Sequence, residues 1–447
     1  MKNNSFHRSK PFNLLNDMQI NLPNNALKNT FLSEDINETT NNSRKMKTNS
    51  ANNYGLKKFG YINNFSAQVT QFNYLLQGTD SSLKGYEIDA LVDGLNPVNL
   101  NSCGYDNFHG EPVDDTHATY RVINTSAKTA SGEDIVGLFT LNKKRRNFEG
   151  ITWTTRTGLH MEVSLKRKPH IGDIFFVSMD AFETFLKSIA GHAVPEPWNF
   201  SGKEGVCSHP ILKSYLENIF WKLKKESMEG KLNKVVYSSD GQHILFNTNL
   251  PDTFGNDILI IAEVRKKPNG EEYYENPAMS KGGIYKRRQI GFRDDVNPEA
   301  ATFFEDVNEI IFQPSWRIDT SFEHLFHIIQ DNRPRFPKDY QEKNPAEVAG
   351  DLEKAISLAV KMAKRNFKYI APMYRPQKDC IQLLMPIYLN GSYKQSPDFA
   401  LVLTPENGIY LPETILPIEA AYQNARLIAM PDEAWLKPDA IFNSIGA

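Results

Sequence analysis

The stretch PAEVAGDLEKAISLAVKMAKR, residues 345–365, decides the fold class. Val348, Leu352, Ile356, Ala359, Val360 and Ala363 recur at helical spacing, so it reads as an amphipathic helix with one buried face. The sequence after it changes period. CIQLLMPIY at 380–388 and FALVL at 399–403 are apolar runs of strand length, Asn407-Gly408 marks a turn, and 418–429 is helical again. Upstream, 234–238 and 243–247 flank Asp240-Gly241, a hairpin signal. Residues 257–264 read as a strand running to the turn Pro268-Asn269-Gly270, 309–312 as a short strand and 323–330 as a short helix. Strands and helices interleave without regular strand–helix–strand alternation. The predicted class is therefore α+β, a mixed sheet with packed helices over 210–447.

Ahead of this, 194–209 is rich in Pro and Gly and reads as a linker before a helix at 210–229. Residues 116–193 read as a small β-rich, barrel-like domain. Five short strands are expected at 119–123, 135–141, 148–155, 159–165 and 173–178, then a helix at 180–190. Within 56–115 the patterns at 65–76 and 86–95 suit a helix or a strand. Residues 1–55 are crowded with Asn, Ser, Thr and Lys and hold no sustained apolar period. Such a segment buries too little to offset its ordering entropy, so a disordered arm is predicted, open to a protein partner.

The chain has 447 residues, long enough for two or three domains. Its 51 Lys+Arg against 53 Asp+Glu give a net charge of −2, which argues against an indiscriminate polyanion binder. The mean hydropathy of −0.48 traces to the polar arm. Cys103, Cys207 and Cys380 are scattered, with no C-x-x-C, which suits a reducing cytoplasm and ordinary thiols. No apolar run approaches the length of a membrane span, so no membrane partner is expected. P-loop, dinucleotide-binding, H-E-x-x-H, G-x-S-x-G and zinc-deaminase motifs are all absent, and neither cofactor nor metal is expected. The sequence names no reaction, and catalytic residues are unassigned.

Several motifs remain. EHLFHIIQDNRPRFP at 323–337 places His324 and His327 three apart, then Arg333 and Arg335 in a Pro-stiffened loop. Guanidinium forks suit phosphate or carboxylate, or an acid in the core wall. KMAKRNFKYIAPMYR at 361–375 interleaves Lys364, Arg365 and Lys368 with Phe367, Tyr369 and Tyr374 around Asn366. Cations mixed with aromatics can follow a single-stranded backbone and stack bases. The last helix carries Tyr422, Asn424 and Arg426 among apolar residues, and buried polar groups need partners or a ligand. Basic runs stand at Lys143-Lys144-Arg145-Arg146, at 166–168 and at 286–288.

The C-terminal part, about 234–436, resembles the domain-of-unknown-function 3825 family. The resemblance rests on Phe246-Asn247-Thr248-Asn249-Leu250, where the family more often has Gly before the Leu. It rests also on Arg335-Phe336-Pro337, Asn366-Phe367-Lys368, Ala371-Pro372-Met373-Tyr374, Ile381-Gln382-Leu383-Leu384-Met385-Pro386 and Asp398-Phe399-Ala400-Leu401-Val402. Its closest match is Ala421-Tyr422-Gln423-Asn424-Ala425-Arg426-Leu427-Ile428, followed by Pro431-Asp432 and Trp435-Leu436. The family has no assigned activity. Its relatives look like bacterial proteins that sometimes carry the module beside predicted RNA-binding modules, which implies RNA as the partner.

The expectation is a cytoplasmic nucleic-acid-associated protein, RNA favoured. Its cleft would be lined by Arg333, Arg335, Asn366, Tyr374, Tyr422, Asn424 and Arg426, with Lys143, Lys144, Arg145 and Arg146, and the run Lys166–Lys168, as phosphate contacts. The alternatives are a nuclease or nucleotide-processing enzyme using His327, Asp398 and Glu419, and a non-catalytic interaction module.

Overall fold

The computed structural model describes residues 55–436, apart from 63, 78–81, 101–112, 114–117, 143–145, 201–206, 281–286, 295–296, 392, 394–395 and 432–434. The chain divides into 1–52 and 53–447, and the Asn-rich arm lies outside the described residues. Among the described residues no helix is long and apolar enough to cross a membrane.

The first sheet is an antiparallel run in the order β1 (Val98–Leu100), β2 (Tyr120–Lys128), β3 (Asp134–Asn142) and β4 (Asn147–Thr155). One face receives α1 (Phe65–Leu75) and α2 (Gly85–Asp93), which settles as helices both stretches whose pattern suited either form. Phe72 meets Trp153 edge-on at 4.8 Å, with Ile123, Ile135, Phe139 and Ile151 around them. The other face carries Val122, Val136 and Leu138 and is covered by α3 (Gly158–Arg167) through Leu159 and Val163.

That helix corrects the strand expected at 159–165. Apolar residues at 159, 161, 163 and 165 mimic alternation, yet 159 and 163 also share a helical face. The sheet face left bare after β4 selects the helix. Gly158 starts it where a Cβ would sit 2.3 Å from Thr154 Oγ1 and 2.8 Å from Pro268, so only glycine fits.

No barrel closes. β5 (His170–Ile171) and β6 (Ile174–Phe175) leave the first sheet and join the second, ordered β5-β6-β10-β9-β8-β7. Here β7 is Val235–Tyr237, β8 His243–Pro251, β9 Asp257–Lys266 and β10 Glu272–Met279. Only the β6–β10 pairing in this sheet is parallel. The turn between β9 and β10 reaches into the first module. Asn269 Nδ2 donates to the Trp153 carbonyl at 3.0 Å, and Lys267 stands 3.6 Å from the buried carboxylate of Glu162.

The third sheet is ordered β11-β15-β14-β13-β12, with β11 at Arg317–Ile318, β12 Ala371–Arg375, β13 Cys380–Ile387, β14 Phe399–Glu406 and β15 Ile409–Leu416. Residues 309–312, expected as a strand, contribute instead to a 3-10 turn at Val307–Glu309 and irregular chain. Leu383, Met385, Leu401, Leu403 and Ile415 face α6 (Phe322–Asn332) and α7 (Pro345–Ala363). Ala371, Leu384, Ala400 and Val402 face the opposite way, toward α5 (Pro210–Met228) and α8 (Ile418–Arg426). α4 (Met179–His192) and α5 also line the second sheet. The C-terminal α+β body is thus layered as sheet, helices, sheet, helices.

Candidate functional site

The polar residues singled out from the sequence separate into distinct places. Arg333 and Arg335 follow α6 on one side of the third sheet. Arg333 Nε donates to the Gln341 carbonyl at 2.7 Å, and its Nη2 donates to the Lys343 carbonyl. Arg335 Nη1 donates to the Ile415 carbonyl at 2.7 Å and to Asn332 Oδ1 at 2.9 Å. Phe336 packs on Phe399 with ring centroids 5.0 Å apart. These guanidinium groups fasten a loop to the sheet.

Arg426 and Tyr422 project from α8 on the other side of the sheet. Arg426 makes a bidentate pair with Glu196, Nε–Oε2 2.7 Å and Nη2–Oε1 2.5 Å, beside the rings of Tyr215 and Trp198. Burial opposes its charge, but the hydrogen bonds of Glu196 outweigh that and raise the guanidinium above its ordinary value. Tyr422 meets Phe200 edge-on at 5.9 Å. Asn424 is half-buried on the same helix. The residues that answer this helix lie at 194–209, a stretch whose Pro and Gly content reads as a linker.

Tyr374 belongs to a third group. Its hydroxyl donates to Asp379 Oδ1 at 2.5 Å, and Lys222 and Lys225 reach the same carboxylate at 2.7 and 2.5 Å. Burial would raise the Asp379 carboxyl, but its partners Lys222, Lys225 and Tyr374 hold it well below its ordinary value.

Asn366 stands in a fourth place. It caps the 3-10 turn Phe367–Tyr369, accepting from the Lys368 N–H at 3.1 Å. Phe367 is 66% exposed there, and Lys361, Lys364, Arg365 and Lys368 around it are exposed. Tyr369 lies 6.4 Å from Tyr393, which lies 4.6 Å from Tyr388, ring to ring. Burial pushes the Tyr388 hydroxyl up to about 12. Tyr388 and Tyr393 went unread in the sequence. The signal was the Asn390-Gly391 turn, which folds one toward the other: Gly391 sits at φ 70 and donates to the Tyr388 carbonyl.

On the first module, Arg146 is exposed in the β3–β4 turn, while Lys143, Lys144 and Arg145 lie outside the described residues. Lys166 lines a cleft with Tyr120, Asn142, Glu149 and His170, and Lys168 pairs with Glu275 at 2.9 Å. In the third basic run Lys286 is outside the described residues, and Arg288 pairs with Asp294.

The proposed acid–base set does not assemble. His327 is exposed on α6 and Glu419 is on α8, across the third sheet, while Asp398 accepts from the Leu389 N–H at 2.8 Å. His324 hydrogen-bonds the Pro412 carbonyl.

The motif Asn247-Thr248-Asn249-Leu250 is structural. Thr248 Oγ1 donates to the Ile258 carbonyl at 2.7 Å, and Asn249 exchanges two hydrogen bonds with Ala301. Asn249 sits at φ 58, the left-handed region, which Asn and Gly tolerate best.

No curated protein and no solved structure matches this chain. The family model described as Domain of unknown function (DUF3825) matches residues 189–435, beginning ahead of the 234 read from motifs and taking in Glu196 and Trp198. That span is more than half of the chain, and the chain belongs to the DUF3825 family.

Proposed function

We propose that this chain binds single-stranded nucleic acid, RNA in preference to DNA, at the surface formed by the end of α7 and the turn Phe367–Tyr369. One observation carries the reading: the Phe367 ring stands exposed among four exposed cations, two residues from Tyr369, which packs with Tyr393. A base stacked on such a ring gains about 1–3 kcal/mol, and the cations meet the phosphates on either side. The preference for RNA follows from the family resemblance. Arg146 and Lys166, exposed on the first module, supply further phosphate contacts. A net charge near zero suits a local surface of this kind better than indiscriminate adhesion.

The test is anisotropy of a labelled single strand titrated with protein over a range of salt. Affinity falls steeply with salt, and the double change Lys364→Glu, Arg365→Glu flattens that dependence. Phe367→Ala weakens binding about tenfold, as loss of one stacked base requires. Absence of binding to any RNA pool at low salt overturns the reading.

A further inference from the structure

A cavity of about 620 Å³ opens between α4, the chain at 195–200 and the start of α5, with Lys187, Glu196, Trp198, Asn199, Ser208 and His209 in its wall. We propose that it binds the phosphate group of a mononucleotide-sized ligand, a site independent of the strand-binding surface.

The argument is a count of donors and acceptors. Two carboxylates stand here, and both are spent on the protein. Glu196 gives both oxygens to the guanidinium of Arg426. Glu183, on α4, accepts from the Ser208 N–H at 3.2 Å and from the Ser208 hydroxyl. Since Ser208 Oγ–H is committed to Glu183, the contact of 2.6 Å between Ser208 Oγ and His209 Nδ1 places a proton on Nδ1. Nε2 of His209 is then the ring atom left for a ligand. A phosphate monoanion can give it a proton and keep the resulting hydrogen bond.

The remaining wall is rich in donors. Lys187 and Asn199 are exposed, offering an ammonium and an amide. Trp198 is 5% exposed, and its indole N–H has no acceptor among the described residues. A wall whose acids are neutralised internally and whose ammonium, amide and indole N–H have no partner among the described residues selects an anion. The volume lies within the usual range for small-ligand sites, and its open side leaves room for a base and sugar beyond the phosphate. The most specific family motif supports the cavity from behind. Arg426 fixes Glu196, and Tyr422 packs on Phe200, also in the wall.

The phosphate could belong to a free nucleotide or to the 5′ end of a strand, and the experiment separates them. Full-length protein is titrated calorimetrically with AMP, adenosine and inorganic phosphate. AMP binds at least tenfold more tightly than adenosine, inorganic phosphate competes with it, and Lys187→Glu weakens AMP at least tenfold. Lys187 is exposed, so that variant folds; circular dichroism verifies it. His209→Gln, which keeps a polar side chain but cannot take the proton, weakens AMP by a smaller factor. In a Phe367→Ala background, tighter binding of 5′-phosphorylated than 5′-hydroxyl oligonucleotides assigns the phosphate to a strand end, and binding of AMP alone assigns it to a free nucleotide. Equal affinity for AMP and adenosine, or indifference of AMP to Lys187→Glu, overturns the proposal. AMP binding retained in Phe367→Ala leaves it standing even if the strand surface fails.

Discussion

Arg426 and Glu196, 230 positions apart, form a two-pronged ion pair that joins α8 to the chain entering α5. Their side chains are only 10% and 7% exposed, so each charge depends on the other. Removing one partner strands the other away from water, which costs about 3–5 kcal/mol. Arg426→Ala and Glu196→Ala should each destabilise by that order in urea unfolding. The double variant should lose clearly less than the sum. Additive losses would mean that the pair is not coupled.

Asn249 offers a test of backbone strain against side-chain bonding. Asn249→Gly keeps the left-handed conformation and loses the hydrogen bonds to Ala301. Asn249→Ala loses both the bonds and the conformational tolerance. The alanine variant should therefore be less stable than the glycine variant by about 1 kcal/mol. Equal stabilities would mean that φ 58 costs an alanine nothing at this position.

Acid sensitivity should be concentrated in the third sheet. Burial alone would raise the Glu413 carboxyl, but Lys378 and its other partners bring it from 4.5 down to about 2. A depressed carboxyl contributes stability that is complete above its unfolded value and lost as pH falls through the folded one. The loss attributable to Glu413 thus runs from about pH 4.5 to about pH 2. Unfolding followed over that window should show a shallower slope in Glu413→Gln. A slope unchanged from wild type would exclude this carboxylate as a contributor.

Phe367 separates binding from folding. Because the ring is exposed, Phe367→Ala should change stability by no more than about 0.5 kcal/mol while weakening strand binding. A large loss of stability would show that the ring packs inward, and the surface would lose its stacking platform.

Much of the C-terminal fold was legible because its helices and strands obey one period at a time. α7 buries Val348, Leu352, Ile356 and Ala359 as its spacing requires, and Asn344 caps it. α3 misled because Leu159, Met161, Val163 and Leu165 satisfy two periods at once, and only the bare sheet face decides between them. The site residues were legible as polar residues in apolar company, but not as neighbours. Arg333, Arg335 and Arg426 each found an internal acceptor, and Glu196 lies too far along the chain for any linear pattern to join it to Arg426. Tyr388 and Tyr393 needed the turn at Gly391 to meet.

The second sheet takes the two strands at one end, β5 and β6, from residues 170–175, upstream of the point where the family match begins. The region matched by the family model therefore lacks two strands of a sheet it otherwise supplies. Excised at residue 189, it would lose β6 from the side of β10 and uncover the backbone edge at Tyr274 and Glu275. Asn269 would lose the carbonyl of Trp153 in the same cut. Such a fragment should self-associate edge to edge, whereas a fragment starting ahead of α1 keeps that edge closed.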